Sequence, residues 1–337
     1  MKGLHTLTFD PAEFTDTDRQ VAWMRFFSKI NPIVPLPQKV FLPRASIWIA
    51  ERVTFTFAKS HPQYYQSDEA FGFNLDQRAM IMAWTCTRGN GQYFHDGRIF
   101  NICPGDVFFM DVSKQASAFM TDAEMYALII PHASVGYDPN LHPTHCHFRS
   151  ASETASEFKD WILKTIANLP SATRKEAPEI ALDAKSKMRS LQDEAVRSSL
   201  EQVSEANRVM EFIDEHVFDP DLSIAALSEQ FHLSKADLYG AAYFPHSLDE
   251  YVRNKRFEYA LRSLVFGAAT ETRVADIAAL CGYTQAATFI ERFEDTFGFA
   301  PDQVLGCLSP ARLNDESIAS GKLWDQWFSP SIWSSAD

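Results

Sequence analysis

The sequence lacks paired cysteines. Its five cysteines are odd in number, lie far apart and form no C-x-x-C pair: Cys86, Cys103, Cys146, Cys281 and Cys307. This pattern argues against a disulfide framework and against a zinc ribbon, and it is typical of proteins in a reducing cytoplasm.

Long apolar runs are missing as well. The N-terminal stretch "MKGLHTLTFDPAEFTDTDRQ" has no apolar core of signal-peptide length. No later stretch approaches the ~20 apolar residues that a membrane span needs. We therefore expect a cytoplasmic protein without a membrane partner.

Catalytic and metal-binding patterns are also missing. We find no nucleophile–base arrangement, phosphate loop or paired-carboxylate motif, so the sequence predicts neither an enzyme nor a cofactor. The segment "HPTHCHF" brings together His142, His145, Cys146 and His147, with His132 nearby. However, the jelly-roll metal pattern is absent, since Phe108 stands where its last His is expected. We expect a polar loop here and no metal.

Positive charge is scarce, especially in one segment. The chain has 31 basic and 44 acidic residues and a net charge of −13. Residues 205–306 contain 17 of the acidic and 8 of the basic residues, a net charge of −9. This balance argues against a polyanionic partner for that segment.

The chain has ample material for about two domains. Its 337 residues are 46% hydrophobic and include 27 Phe. From 41 to about 131, short runs alternate apolar and polar residues, as in "RVTFTFAK", and turn signals separate them at Asp96-Gly97 and at Pro104-Gly105-Asp106. This spacing predicts a β sandwich or barrel.

The segments that flank the predicted β domain, and the C-terminal tail, have patterns of their own. Residues 1–40 are predicted to form an N-terminal arm or a short helix at "RQVAWMRFFSKI". Residues 151–204 are helical and polar, with Phe158, Trp161 and Ile162 among the few apolar positions. Two interpretations of 151–204 remain open: a solvated connector, or a helical hairpin that forms a dimer. The tail 307–337 contains Trp324, Trp327 and Trp333, which suggests docking onto this chain or onto a partner.

From 205 onward the sequence predicts two helix-turn-helix units, at 222–244 and 274–298, joined by "DEYVRNKRFEYALRSLVFG". Ser234 and Asp237 form an S-x-x-D capping box, and Thr284 is the expected cap of the later helix. Gly282 stands where the turn between two helices needs a positive φ.

These motifs resemble the AraC/XylS family of bacterial transcription regulators. The first unit and the connecting helix match at Leu222-Ser223, Leu227, Ser234, Leu238, Tyr251, Arg256-Phe257 and Ala260. The second unit matches at Ile277-Ala278, Gly282-Tyr283, Phe289, Phe293, Phe297-Gly298 and Ala300-Pro301. The stretch "GRIFNICPGDVFFMDVSKQ" is similar to the cupin-type sensor half of one branch of the family. The resemblance implies an α+β protein: a cupin-like sensor domain (41–150), a helical linker and an all-α DNA-binding domain (205–306).

The resemblance also implies site residues. The positions that would face DNA bases are Lys235, Ala236, Tyr239, Gln285, Ala286, Ala287, Ile290 and Glu291. The candidate phosphate ligands are Arg253, Lys255, Arg256, Arg273 and Arg292. The departures from the family lie at these positions: Glu291 stands where Arg is usual, and Glu294-Asp295 replaces a basic pair.

Aromatic residues on the predicted strands are candidates for an effector pocket, with plain sandwich core as the alternative: Trp48, Phe55, Phe57, Trp84, Tyr93 and Phe108. The sequence thus predicts an AraC-like regulator that binds double-stranded DNA, responds to a small molecule and forms a homodimer, with RNA polymerase as a further candidate partner. The alternative is a regulator-like protein with weakened or lost DNA binding that acts through protein contacts or ligand sensing.

Overall fold

The computed structural model describes residues 3–27, 33–67, 79–95, 98–201, 208–209, 212–213, 215–240, 247–266 and 273–305. The chain divides into two compact units, and the main boundary between them lies at residues 200 and 201. Each unit is described by itself below.

The first unit is built on β-strands. The described residues form β1 (His5–Phe9), β2 (Ile33–Pro35), β3 (Arg44–Ala50), β4 (Val53–Ser60), β5 (Gln63–Ser67), β6 (Met80–Arg88), β7 (Gly91–His95), β8 (Arg98–Ile102), β9 (Val107–Asp111), β10 (Ala116–Met120), β11 (Ala123–Pro131) and β12 (His145–Phe148). One sheet has seven strands in the order β1-β3-β4-β11-β6-β9-β12, and the other has five in the order β2-β5-β10-β7-β8. The predicted β sandwich is confirmed.

The period-two alternation of the strands produces two separate cores. On β6, Ile81 and Ala83 point to one face of the seven-stranded sheet, and Met82 and Trp84 point to the other. The first face is covered by helices and the second faces the five-stranded sheet. Because the seven-stranded sheet is covered on both faces, β9 and β11 are apolar at most positions, whereas β4 alternates apolar residues with Thr.

The described helices of the first unit are α1 (Asp16–Phe27), α2 (His132–Val135), α3 (Glu153–Asn168) and α4 (Ala177–Glu201). Phe158 and Ile162 of α3 and Ala184 and Met188 of α4 are buried in the same core as Phe55 of the sheet. Trp161 also donates a hydrogen bond from Nε1 to Oδ2 of Asp183 at 2.7 Å. The segment predicted as a solvated connector is therefore helical, but its apolar stripe covers the sheet.

The N-terminal residues are also part of the sandwich, and α1 lies where the short helix "RQVAWMRFFSKI" is predicted. β1 pairs antiparallel with β3, and β2 pairs with β5. Trp23 of α1 is fully buried and donates a hydrogen bond from Nε1 to Oε1 of Gln63 at 2.8 Å. Sequence patterns at a strand edge are weak because such short strands bury few residues.

The second unit is helical. Its described helices are α5 (Ile224–Phe231), α6 (Lys235–Gly240), α7 (Leu248–Phe266), α8 (Val274–Leu280), α9 (Ala286–Phe297) and α10 (Pro301–Val304). The pairs α5–α6 and α8–α9 are the two predicted helix-turn-helix units, and α7 lies between them in the chain. The α+β class of the whole chain is confirmed.

The first helix-turn-helix unit has the predicted cap. The Asp237 N–H donates to Oγ of Ser234 at 3.1 Å, and Oγ of Ser234 donates to Oδ2 of Asp237 at 2.6 Å. His232 ends α5 with φ 55° and ψ 32°, a left-handed conformation that glycine adopts more easily. The turn thus keeps its geometry without the glycine.

In the second helix-turn-helix unit, one glycine lies in the turn before α9 and another follows α9. Gly282 in the turn has φ 86°, and Gly298 after α9 has φ 81°, as the sequence predicts. The prediction of Thr284 as the cap was wrong. Gln285 is the N-cap of α9, and its side chain makes no capping hydrogen bond.

Two predicted features lie outside the described residues: the Asp96-Gly97 turn and the Trp-containing tail. The turn at Gly105 is present, with φ 90°. Within the described part of the chain, no helix combines the length and the apolar character that a membrane span requires.

Candidate DNA-reading surface and effector pocket

Helix α9 has one buried face and one exposed acidic face. Phe289, Phe293 and Phe297 are buried, and each ring lies 5.9–6.2 Å from that of Phe257 on α7, centroid to centroid. This stripe fixes the rotation of α9 about its axis, since the rings recur every four residues. The face away from the stripe is exposed at Gln285, Ala287, Glu291, Glu294 and Asp295, whereas Ala286 and Ile290 at its flanks are half-buried.

Helix α6 holds the corresponding positions of the first helix-turn-helix unit. Leu238 is buried in a core with Leu227 and Tyr251. Lys235, Ala236 and Tyr239 are exposed. Six of the eight residues predicted to face bases are therefore exposed on α6 or α9 or at the N-cap of α9, and whether any of the eight contacts DNA stays a prediction.

Three of the five predicted phosphate ligands lie beside a carboxylate on their own helix or at its cap. Arg253 lies 4.0 Å from Glu250, Arg273 lies 3.0 Å from Asp276, and Arg292 lies 3.8 Å from Asp295, measured between nitrogen and oxygen. All six side chains are substantially exposed, so each pair contributes little to stability. Each carboxylate does reduce the local positive potential that a phosphate would meet.

Arg256 lies within the fold of the second unit. Its guanidinium donates from Nε to the carbonyl oxygen of Val217 at 2.7 Å, from Nη2 to that of Asp219 at 3.3 Å and from Nη1 to that of Cys281 at 3.4 Å. These bonds use three of the five N–H donors of the guanidinium. Whether Arg256 also contacts a phosphate stays a prediction, and a phosphate would compete with these carbonyls for the guanidinium.

Lys255 is the remaining predicted phosphate ligand. Its Nζ lies 5.6 Å from the ring centroid of Tyr251, within cation–π range. The side chain follows the surface of α7, so a phosphate contact would compete with a weak aromatic one.

A pocket lies between the two sheets of the first unit. The seven-stranded sheet contributes Met82 and Trp84 from β6, Met110 from β9 and Met125 from β11. The five-stranded sheet contributes Tyr65, Tyr93, Ala116, Ser117, Ala118 and Met120. The empty space is about 380 Å³, including space open to solvent. The enclosed part of this space is about 40 Å³.

The hydroxyl of Tyr65 is held inside this region. The Gln63 amide donates to it, and it donates to Sδ of Met125 at 3.2 Å. Burial raises the pKa of Tyr65 to about 12, despite hydrogen bonds from Gln63 and Ser60 that lower it. The phenol is therefore neutral over the physiological pH range.

The structure divides the six aromatic residues predicted for the pocket. Trp84 and Tyr93 line it, and Phe108 stacks on Trp84 at a centroid distance of 4.5 Å. Trp48 and Phe55 are buried in the core on the opposite face of the seven-stranded sheet, under α3 and α4, and Phe57 packs against that core. For these three the pocket prediction was wrong, because alternation along β3 and β4 turns them to the helical side.

Of the residues that line the pocket, only Trp84 and Tyr93 are predicted from the sequence. In "RAMIMAW", Met82 and Trp84 share a face at the strand period, and in "VFFMD" Phe108 and Met110 do the same. The alternation along each strand is sufficient to identify these residues as pocket candidates. No local pattern identifies the small residues on β10, since small residues line a pocket only when the facing sheet leaves space.

The histidine segment is an edge strand rather than the predicted polar loop. β12 pairs with β9, with His145 opposite Met110 and His147 opposite Phe108. His147 donates from Nε2 to Oδ2 of Asp106 at 3.0 Å. Burial would raise the pKa of Asp106, but hydrogen bonds from His147 and from the Ser150 and Cys103 N–H groups hold it below its ordinary value. Among the described residues, no group of three or more His, Cys, Asp or Glu side chains is placed to hold a metal ion.

Comparisons with known proteins give likenesses of structure. No protein-family model and no curated protein matches the chain. Among solved structures, the AraC-like transcriptional activator CuxR is 16% identical, with a TM-score of 0.48 over 77% of this chain and 96% of that chain. ToxT from Vibrio cholerae is 12% identical, with a TM-score of 0.33 over 77% of this chain and 99% of that chain. The C-terminal domain of the two-component response regulator yesN from Fusobacterium nucleatum is 26% identical, with a TM-score of 0.26 over 30% of this chain and 98% of that domain.

The architecture of the chain itself agrees with the resemblance drawn from its motifs. A two-sheet β domain comes first, the helices α3 and α4 follow, and two helix-turn-helix units flank α7. The buried positions of the second unit include the motif residues Leu227, Phe257, Phe289 and Phe293. This order of a β domain, helices and two helix-turn-helix units is the α+β architecture that the sequence predicts.

Proposed function

We propose that this protein is an AraC-like transcription regulator of the cytoplasm, in which the β domain senses a small molecule and α6 and α9 contact DNA. The observation that supports this most is the arrangement of the second unit. Helix α9 buries a stripe of three Phe residues, helix α6 buries Leu238, and each has an exposed opposite face, which is the geometry that a major-groove helix requires. The proposed mechanism is an equilibrium between dimer geometries, which the bound effector shifts.

DNA affinity in this proposal is weak. Non-specific affinity comes from neutralised phosphates, and each neutralised phosphate contributes about −0.9 to the slope of log K against log salt. Arg253, Arg273 and Arg292 each have a carboxylate nearby, and Arg256 is occupied by carbonyls. We therefore expect two or three effective phosphate contacts per protomer, and a slope of roughly −2 to −3.

A second candidate is a regulator-like protein that no longer binds DNA and acts through ligand sensing or protein contacts. The same charge arrangement favours it: the exposed face of α9 bears Glu291, Glu294 and Asp295. At the position where a reading helix approaches phosphates, carboxylates repel DNA.

A salt titration of DNA binding separates the two candidates. Full-length protein is first used to select duplexes from a randomised pool at ~50 mM salt, and the enriched duplex is then titrated. The regulator proposal expects enrichment of two half-sites about one helical turn apart and a shallow slope. A protein that enriches no sequence and binds no duplex at that salt concentration would leave only the second candidate. Nanomolar, steeply salt-dependent binding would show that the expected weakness is wrong.

A further inference from the structure

The chemistry of the pocket restricts what it can bind. Its described lining contains sulfur, aromatic rings, small aliphatic groups and hydroxyls, and none of these lining side chains is charged. The hydroxyls that face the space belong to Tyr65 and Tyr93, because Ser117 lies between Ala116 and Ala118 on β10 and its side chain points to the opposite face. A bound carboxylate or ammonium group would lose its hydration and find no opposite charge among them, which costs several kcal/mol.

The Tyr65 phenol reports this property of the site directly. Burial is the largest influence on its pKa and acts against the anionic form. The same desolvation acts on a charged group of a ligand placed beside it. A neutral hydroxyl or carbonyl group would instead find a hydrogen-bond partner in the hydroxyls of Tyr65 and Tyr93.

The pocket owes its space to the small residues of β10. Ala118 lies between Tyr65 of β5 and Tyr93 of β7 in the register of the five-stranded sheet, and Ala116 lies two residues along the same face. Both side chains are buried. A sandwich filled only for stability would have larger side chains at these central positions, because unfilled volume costs free energy.

The rest of the lining suits a flat, polarisable molecule. Met82, Met110, Met120 and Met125 surround the space, and thioether sulfur makes favourable contacts with aromatic rings. The rings of Trp84 and Tyr93 offer faces for stacking. The enclosed space is about 40 Å³, smaller than the cavity of about 150 Å³ that accommodates benzene. A ring therefore enters only when the flexible methionine side chains around the space move.

We propose that this pocket binds an uncharged aromatic compound of one or two rings that bears a hydroxyl or carbonyl group, and that this compound is the effector. The assignment of effector rests on the sensor role proposed above. The binding chemistry itself does not, because it can be measured in the absence of DNA.

The test uses full-length protein with its methionine methyl groups labelled with ¹³C and three probes of one shape: 2-naphthol, 2-naphthoate and 2-naphthylmethylammonium. We expect 2-naphthol to shift the resonances of the four pocket methionines with a Kd below ~1 mM. Met188, which is buried in the core under α4, should not shift. The two charged probes should bind at least ~10-fold more weakly.

A variant that fills the pocket provides the second measurement. Ala118→Leu should abolish 2-naphthol binding, and the matched control Ala181→Leu, which adds the same volume to the core under α4, should retain it. If Ala118→Leu does not fold, the spectra of the wild-type protein with the three probes still test whether the pocket binds a neutral aromatic compound. Equal affinity for 2-naphthoate would overturn the neutral class, and no shift of any pocket methionine with 2-naphthol would overturn the proposal. Methionine shifts in a protein that binds no DNA would refute only the proposed regulator function.

Discussion

The guanidinium of Arg256 joins separate segments of the second unit at the scale of one residue. Its three carbonyl acceptors lie before α5 and after α8, and Sγ of Cys281 in turn donates to the carbonyl oxygen of Arg256 at 3.2 Å. Gly282 follows Cys281, and a Cβ on Gly282 would lie 2.8 Å from Nη1 of Arg256. The glycine is therefore required both for its positive φ and for the space that Arg256 occupies.

This arrangement predicts different costs for two glycine substitutions. Gly298→Ala introduces a side chain at φ 81° with no heavy atom within 4 Å, so it should cost about 1 kcal/mol of unfolding free energy. Gly282→Ala should cost about 1 kcal/mol more, because it also displaces Arg256 from the Cys281 carbonyl. Urea unfolding followed by far-UV circular dichroism measures both. Equal costs would show that Arg256 moves without loss.

The Asp106 carboxylate makes the stability of the first unit depend on pH. Its folded pKa lies below the ordinary value of 3.8, mainly because His147 and two backbone N–H groups donate to it against the effect of burial. A depressed carboxylate pKa contributes stability that is fully present above the unfolded pKa and is lost as the pH falls through the folded pKa. Asp111 has the same direction of shift, with His132 as a donor.

We therefore expect the midpoint of thermal unfolding to fall as the pH is lowered from about 5 to about 3. Asp106→Asn should lower the midpoint at pH 7 and make this acid dependence shallower, because the titrating group is gone. Asp160→Asn, at an exposed position on α3, is the control and should leave both unchanged. Tryptophan fluorescence follows the transition. An acid dependence that Asp106→Asn does not alter would contradict the assignment.

At the scale of one element, different faces of helix α9 determine its packing and its charge. The Phe stripe is buried against α7, whereas Glu291, Glu294 and Asp295 are exposed. Asp295 forms an exposed pair with Arg292, which contributes little to stability. The charge of this face can therefore be changed without a large effect on folding.

The test variant combines Glu291→Arg, Glu294→Lys and Asp295→Lys. Stability should change by no more than about ±0.5 kcal/mol, as is usual for surface substitutions. DNA affinity should rise, and the salt slope should steepen by about one unit or more. The control combines Glu157→Arg, Asp160→Lys and Asp193→Lys on α3 and α4. It changes the net charge by the same amount, at positions that are far in sequence from α6 and α9.

Fluorescence anisotropy with labelled duplex measures both variants. A rise that is equal in both would show that only the net charge matters. Loss of operator binding in the α9 variant alone would identify the three carboxylates as specific base contacts. The suspicion of weakened DNA binding would then be wrong.

At the scale of the whole molecule, the open question is how protomers associate. Ile162 was one basis for predicting that residues 1–203 contain the dimer contact, but it is fully buried within its own unit. Leu182 on α4 is 66% exposed, so α4 retains an apolar residue on its outer side. We retain the homodimer as a prediction for residues 1–203, with the outer side of α4 as its contact.

Sedimentation equilibrium of residues 1–203 at tens of micromolar tests this prediction, since association depends on concentration. We expect a dimer, and we expect Leu182→Arg to shift it toward monomer. Phe218→Arg in full-length protein is the control at a similarly exposed apolar position of the second unit, and it should leave the dimer intact. A clean monomer of the wild-type fragment would remove the prediction.

The sequence by itself determined the elements whose signals are local. The Phe289, Phe293 and Phe297 stripe, the Ser234–Asp237 cap and the positive φ of Gly282 each depend on a few neighbouring residues. Helical period and turn stereochemistry act over such distances, so both helix-turn-helix units and the β class could be predicted. The caps were less certain, and Thr284 proved wrong by one residue.

Only the tertiary structure decided which face of a strand meets which neighbour. Phe55 and Trp84 are both aromatic residues on apolar strands, yet Phe55 lies under the helices and Trp84 lines the pocket. The sheet is covered on both faces, so hydrophobicity does not distinguish them. Arg256 shows the same limit: its sequence position suggests a phosphate ligand, but its partners are carbonyls 25 to 39 residues away. Contacts over such separations depend on packing, which no local pattern contains.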